Sequence, residues 1–530
     1  MWRRMAWALA LLFACPVLGA VGAETGAPVP AMTEWAMDIA RMMGSSPAGA
    51  AMSPNGIIMT ARPTGGPASG IVVTDPNSFN PSLNSYVWTG PRVANGQFIT
   101  GTGSGTCKYL YPAGFNKFEF VEAGAGAPRL FDAQLTDTSL TGPASVRAML
   151  DQAQAAGLTL LRMNAFAVDS QYSVALQPGG VGNAVLYNEG VLKGLDYVLS
   201  EAQKRGIKVL LVLTDYFAGT GGPEQYLAFA GVDTSCGESP LPSCDDVKSQ
   251  FFGNPTAQQL YQQYASTLAN RVNTVNGRTY KNDPTIWGWD LMNEPRCTAQ
   301  SICTDDGVTT IHAWVAMMST YVKGIDRQVP WHTTHLVTVG LDGFYLNQPG
   351  AAANPFTNTY NTDWLDDTQA ATIDFGSFNV YPDLWMASIS NEAANTAWID
   401  AWIDQHAGDA KSPLAKPIII KELGAQPTPQ RLQLYTTMLG KALSVATADR
   451  NAVGGLKGVL YFQGWVDGTD AVFWTLAQGG RFGILPGNPE FQQITQFASS
   501  SAALEQSVAC PGGNSVLGPE YPPTPSCPTG

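Results

Sequence analysis

The sequence predicts an α/β chain folded as a (β/α)8 (TIM) barrel with elaborated βα loops. Short apolar runs alternate with helical periodicities from about Phe118 onward, and eight of those runs read as strands. Several of them, such as VLLVLTD and PIIIKEL, are almost continuously apolar, as strands are when helices cover both faces of a parallel sheet. Eight βα units over about 400 residues is the number a closed barrel needs. A doubly wound open sheet uses the same units and is the structural alternative.

The strand candidates, in order, are Phe118–Ala123, Thr159–Phe166, Lys208–Asp215, Ile286–Glu294, His335–Gly343, Asp374–Tyr381, Pro417–Gly424 and Gly458–Trp465. Apolar residues at helical spacing fall between them over Ser145–Ala156, Gly190–Arg205, Ala257–Val272, Thr310–Ile325, Asn395–His406 and Gln430–Val445. One long insertion, Phe217–Gly253, precedes the fourth strand.

Composition limits the partners. The 530 residues carry 29 Lys+Arg against 42 Asp+Glu, a net charge of −13, which disfavours nucleic acid and anionic membranes. Four histidines leave little for a His-based metal site, no cofactor is called for, and acid/base chemistry falls to carboxylates.

Residues 1–23 have the layout of a secretory signal peptide: Arg3 and Arg4, an apolar run to Leu18, then small residues at Ala20 and Ala23. The mature chain is expected to be extracellular, free of the membrane and monomeric. Residues 24–106 form a Gly/Pro/Ala-rich extension without a clear strand pattern, residues 107–500 the catalytic body, and residues 501–530 a Pro/Gly/Ser-rich tail. Among the seven mature cysteines, Cys236 with Cys244 and Cys297 with Cys303 are spaced for local bridges. Cys107 is left to Cys510 or Cys527.

Barrel chemistry gathers at the carboxyl ends of the strands. Those ends carry Arg162 and Asn164, Asp215 and Tyr216, Asn293 and Glu294, Asp342, Asn379 and Tyr381, Glu422, then Phe462 and Trp465. Glu294 and Glu422 each close an apolar strand, where a carboxylate is costly unless it is paired or used. Two such acids facing each other across the mouth suit acid-assisted glycosidic cleavage; two structural ion pairs are the other explanation. Arg162 is placed to hold a carboxylate ionised, and Asn293, Asn379 and Tyr381 offer hydrogen bonds. Tyr216, Tyr381, Trp385, Phe462, Trp465 and Trp474 suit stacking on sugar faces. Strict alternation would put Asn293 and Glu294 on opposite faces, so the strand must end or bulge there.

These residues sit in longer stretches: LRMNAF at 161–166, ALQPGG at 175–180, YKNDPTIWGWDLMNEPRC at 280–297, HLVTVGLDGF at 335–344, IDFGSFNVYPDLW at 373–385 and KPIIIKELG at 416–424. In order and spacing they resemble glycoside hydrolase family 5, and within it the endo-β-1,4-mannanases of the plant and fungal type. The resemblance implies a metal-free retaining mechanism, with Glu294 as acid/base and Glu422 as nucleophile. Arg162, Asn293 and Tyr381 would support them, and Asn379, Trp385, Phe462 and Trp465 would complete the substrate site. Three positions depart from the family. Asn379 stands where it has His, Thr214-Asp215-Tyr216 where it has Asn-Asn-Trp, and Phe462 where it has a Trp. The implied substrate is a β-mannan: mannan, glucomannan or galactomannan. The departures leave two alternatives, a β-1,4-glucanase or hemicellulose transglycosylase on the same barrel, and a carbohydrate-binding protein that has lost catalysis.

Overall fold

A computed structural model describes residues 57–59, 90–101, 106–118, 120–124, 142–166, 179–181, 184–217, 221–237, 241–299, 301–304, 310–326, 334–346, 355, 360–386, 388–464 and 482–509. The expected signal segment, Trp465, Trp474, Cys510 and Cys527 lie outside them.

Eight parallel strands form one sheet: β1 Ala113–Asn116, β2 Leu160–Asn164, β3 Lys208–Val212, β4 Ile286–Asn293, β5 Leu336–Gly340, β6 Gly376–Val380, β7 Pro417–Leu423 and β8 Gly455–Tyr461. A helix follows each: α1 Gly142–Ala155, α2 Glu189–Lys204, α3 Pro255–Ala269, α4 Thr310–Asp326, α5 Trp364–Gln369, α6 Glu392–Lys411, α7 Arg431–Ala448 and α8 Pro489–Ala502. The ladders run β5-β4-β3-β2-β1-β8-β7-β6. The remaining seam, β5 to β6, is joined by the Asp374 amide donating to Val337 O at 2.8 Å. There the hydroxyls of Thr338 and Ser377 also donate to Phe375 O and Val339 O, at 2.8 and 2.9 Å. The sheet is a nearly closed barrel, and the open-sheet alternative is set aside.

Local sequence explains the helix starts. Asn188, Asn254 and Asn391 precede α2, α3 and α6, and each side chain accepts a hydrogen bond from a first-turn amide. Asp363 does the same for α5, and Pro255 occupies the first turn of α3.

One strand differs from expectation. The alternating FEFV pattern predicts the first strand over Phe118–Ala123, yet Phe120–Gly124 is a short helix and the strand is Ala113–Asn116. Its AGFN sequence carries little hydropathy signal because the position needs Gly114: a β-carbon there would lie 2.1 Å from Leu160 O.

Strands Pro91–Ala94, Gln97–Gly101, Thr106–Tyr109 and Ser507–Ala509 form a separate four-stranded antiparallel sheet. The domain boundary expected at 106/107 falls inside this sheet, and the one at 500/501 falls inside α8. Phe98 carries the sheet against the amino-terminal end of the barrel, where its ring meets Trp287 and Phe375 edge-on at 5.1 and 5.3 Å. Gly96 sits at φ +65° against Gly454, close enough that a β-carbon would lie 2.1 Å from the Gly454 nitrogen. Both local disulfides form, Cys236–Cys244 and Cys297–Cys303, and Cys107 is also disulfide-bonded. No helix among the described residues is long and apolar enough to cross a membrane.

Candidate active site

Strand β2 delivers Arg162 to the barrel interior, where it is 4% exposed. Its guanidinium serves four acceptors: Glu422 Oε1 at 2.7 Å, Asn293 Oδ1 at 2.8 Å, Asp290 Oδ2 at 2.9 Å and Asn116 Oδ1 at 3.2 Å. Asn116, from β1, donates in turn to Lys421 O and Tyr461 O at 2.8 and 3.2 Å. One cation thus gathers residues of β1, β4 and β7 at the carboxyl end of the barrel.

Glu422 is held by three donors. Besides Arg162, the Tyr381 hydroxyl donates to Oε2 at 2.8 Å, and Lys421 Nζ lies 3.2 Å from Oε1. Burial works against ionisation, but the charges of Lys421 and Arg162 and the Tyr381 bond outweigh it, holding Glu422 below the ordinary carboxylate range. Tyr381 itself is pushed far up, by burial first and then by Glu422 and Glu294, so it remains a donor.

Glu294 has the opposite setting. Asn379 Nδ2 donates to Oε1 at 2.7 Å and Arg296 Nη2 to Oε2 at 3.0 Å. Burial, then the Asp342 carboxylate, raises it well above the ordinary range; Arg296 and Lys421 oppose, and Glu422 adds a smaller push. Asp342, from the loop after β5, pairs with the same Arg296 nitrogen at 3.2 Å. Arg296 is flanked by the rings of Tyr360 and Phe217, 4.3 and 5.1 Å from their centroids.

The backbone resolves the facing problem at Asn293 and Glu294. The β4–β5 register slips between Asp290 and Asn293, and Glu294 adopts φ +46° with its amide bonded to Gly340 O at 2.7 Å. The left-handed conformation costs a non-glycine residue about 1 kcal/mol. It lets consecutive side chains reach one site. In β7 the register against β8 slips between Ile420 and Leu423, and Lys421 and Glu422 both turn inward.

Around the two acids, Asn293 Nδ2 donates to Asp215 Oδ1 at 3.0 Å. Burial pushes Asp215 up to about 6, against the bonds from Asn293 and the Phe217 amide and the charge of Arg162. Asn164 is buried at the end of β2. Trp385 lies edge-on to Tyr381 at 5.8 Å; half-buried Phe462 lies 6.3 Å from Tyr381 and stacks on Phe118 at 6.4 Å. Tyr216 does not offer the sugar face expected of it: its ring is buried under Lys248, 4.4 Å away, and its hydroxyl donates to Asp245 at 2.8 Å. The exposed ring at that edge is Phe217, at 43%.

Four participants are not marked as site residues by the strand-end pattern. Asn116 was hidden by the misplaced first strand. Asp290 lies within a strand whose inward positions depend on the bulge, and Arg296 lies beyond the end of that strand. Lys421 did leave a signal, a lysine inside an apolar strand, because a buried ammonium requires partners. Among the described residues no three His, Cys, Asp or Glu side chains converge to hold a metal ion.

Two carboxyl groups set apart in proton affinity at the rim of a (β/α)8 barrel are the arrangement glycosidic cleavage uses, and the class this fold and site define is a glycoside hydrolase. A family model described as GH family 5 beta-mannosidase-like matches residues 132–442. The chain belongs to glycoside hydrolase family 5. It is 36% identical over 345 residues to mannan endo-1,4-beta-mannosidase 1 of Oryza sativa subsp. japonica, covering 62% of this chain and 73% of the relative. It is 32% identical over 327 residues to mannan endo-1,4-beta-mannosidase 1 of Arabidopsis thaliana, covering 59% and 68%. Among solved structures, the endo-1,4-beta-mannanase from Rhizomucor miehei aligns with a TM-score of 0.60 at 24% identity, over 78% of this chain and 99% of that one, a likeness of fold.

Proposed function

We infer that this chain hydrolyses internal β-1,4-mannosidic linkages in mannan, glucomannan or galactomannan, with retention of configuration. The observation that carries the chemistry is the contrast in the partners of the two acids: Glu422 accepts from Arg162, Tyr381 and Lys421, which keep it low, while burial and the neighbouring Asp342 raise Glu294. The mannan endo-1,4-beta-mannosidases at 32–36% identity supply the substrate class.

In this reading Glu422 attacks the anomeric carbon while the Glu294 proton passes to the departing glycosidic oxygen. The resulting carboxylate of Glu294 is received by Asn379 and Arg296, already within hydrogen-bond reach. It then takes a proton from water, whose oxygen displaces Glu422. Asn293 donates to a sugar hydroxyl, and Trp385 and Phe462 line the sugar path.

Purified protein is tested on mannohexaose and cellohexaose, with Glu422→Ala as control and proton NMR of the first-formed anomer. Internal cleavage of mannohexaose with a β-anomeric product supports the assignment. Cleavage of cellohexaose alone moves it to a β-glucanase, longer products to a transglycosylase, and saturable binding without cleavage to a carbohydrate-binding protein. Azide restores turnover to Glu422→Ala with inverted product; rescue of Glu294→Ala alone in that manner reverses the two roles.

The amino-terminal pattern and the local disulfides support export, with the mature chain beginning near residue 21 or 24 and acting as a monomer. Amino-terminal sequencing and gel filtration of the exported protein check both.

A further inference from the structure

Asn293 stands between two charged side chains, Asp215, to which the activity as described gives no task, and Lys421, so far described only as a partner of Glu422. On one side Lys421 Nζ lies 3.3 Å from its Oδ1, and on the other Asp215 Oδ1 accepts from its Nδ2 at 3.0 Å. The Arg162 bond at 2.8 Å fills the remaining capacity of Oδ1, so that oxygen faces two cations while the nitrogen faces an anion. An amide flip would turn the nitrogen toward two cations and the oxygen toward a carboxylate, costing three charge-assisted bonds at once.

The charges around Glu422 come close to balancing. Arg162 and Lys421 face Asp290, Glu422 and Asp215, so the ionised cluster carries one net negative charge. Removing Lys421 leaves two, which resists ionisation of Glu422. Removing the Asp215 charge leaves none and weakens Glu422 as an attacking group. Removing both returns the count to one.

We propose that Lys421 and Asp215 are paired positioning residues, a charge clamp that closes on the Asn293 amide from opposite sides and sets its orientation beside Glu422. Asp215 touches Asn293 and not Glu422, while Lys421 touches both Asn293 and the Glu422 carboxylate; both act through these two residues rather than on the sugar. The inference rests on the mannanase reading only for its choice of substrate.

The test is a double-mutant cycle at pH 7 with mannohexaose, using Asp215→Asn, Lys421→Met and the double variant. Asp215→Asn alone lowers kcat about tenfold and Lys421→Met alone about 100-fold, with KM within about twofold, since the substrate still binds. In the Lys421→Met background Asp215→Asn raises kcat, recovering at least about tenfold. Lys421→Gln, which keeps a neutral donor toward Asn293, falls between wild type and Lys421→Met. A substitution at 215 that lowers kcat by the same factor in both backgrounds, or leaves it unchanged in both, overturns the clamp.

Thermal unfolding midpoints of the same four proteins give a reading without substrate. Asp215→Asn lowers the midpoint alone and raises it in the Lys421→Met protein. Inert wild-type protein would remove the mannanase reading and leave the midpoints to decide the clamp; additive midpoints would then overturn it.

Discussion

Replacing Phe98 by alanine removes a fully buried ring that lies about as far from the two carboxyl groups as the barrel allows. Phe98 is inaccessible to solvent and sits at the amino-terminal end of the barrel, edge-on to Trp287 at 5.1 Å and Phe375 at 5.3 Å. It packs there with inward-facing Leu160, Leu210, Leu336, Ile419 and Leu460. A buried Phe→Ala change costs about 3–5 kcal/mol, including the cavity left behind. The edge-on pairs add about 0.5–1.5 kcal/mol each beyond area burial, which places this substitution near the top of that range. The strand cannot shift to fill the gap. Gly96 is wedged against Gly454, and the Gln97 side chain donates to Ala452 O at 2.6 Å. Urea titration should therefore show a loss of about 4 kcal/mol, with mannohexaose turnover at 25 °C within about twofold of wild type. Limited proteolysis should cut the variant first between residues 91 and 109. A loss below about 1 kcal/mol with unchanged proteolysis would refute the docking of this sheet as a structural closure of the barrel. A large fall in turnover would refute the separation of the two barrel ends.

Other consequences follow from the site. Arg162→Lys keeps the charge but replaces a planar fork serving four acceptors with a single ammonium, so kcat/KM should fall at least about 100-fold, checked by steady-state kinetics. Cleavage needs Glu422 ionised and Glu294 protonated. Initial rates from pH 3 to 9 should rise below the ordinary carboxylate range and fall only well above it, and a profile with both limbs between pH 4 and 5 contradicts the split. Glu294 is raised in the folded chain, so the folded state binds more protons than the unfolded one above the ordinary carboxylate range, and stability falls as pH rises toward its folded value. Glu294→Gln should accordingly raise the thermal midpoint, by an amount that grows from pH 5 to 8. Asn379→Ala removes the donor to Glu294 Oε1 and should lower kcat about 10- to 100-fold with little change in KM, measured on mannohexaose.

Much of this molecule was legible before it was folded. The alternation of apolar runs with amphipathic helices set the barrel class, since period and length are local properties that burial on both faces of a strand imposes directly. Glu294 and Glu422 stood out because an acid at the end of an apolar strand contradicts its surroundings. Arg162, Asn293, Asn379 and Tyr381 were visible as strand-end residues, and Cys236–Cys244 and Cys297–Cys303 as close neighbours in sequence.

What only the tertiary structure decided concerns register and convergence. A single-residue bulge changes which side chains face inward, and hydropathy does not record it; Lys421 and Glu422 enter together, and Asn293 and Glu294 share a site, for that reason. Asn116, Asp290 and Lys421 meet Arg162, Glu422 or Asn293 only because strands distant in sequence are brought side by side. The same holds for Phe98, which lies in the Gly/Pro/Ala-rich extension without a clear strand pattern. Its burial is supplied by barrel strands from Leu160 to Leu460, and no local pattern around residue 98 carries that information.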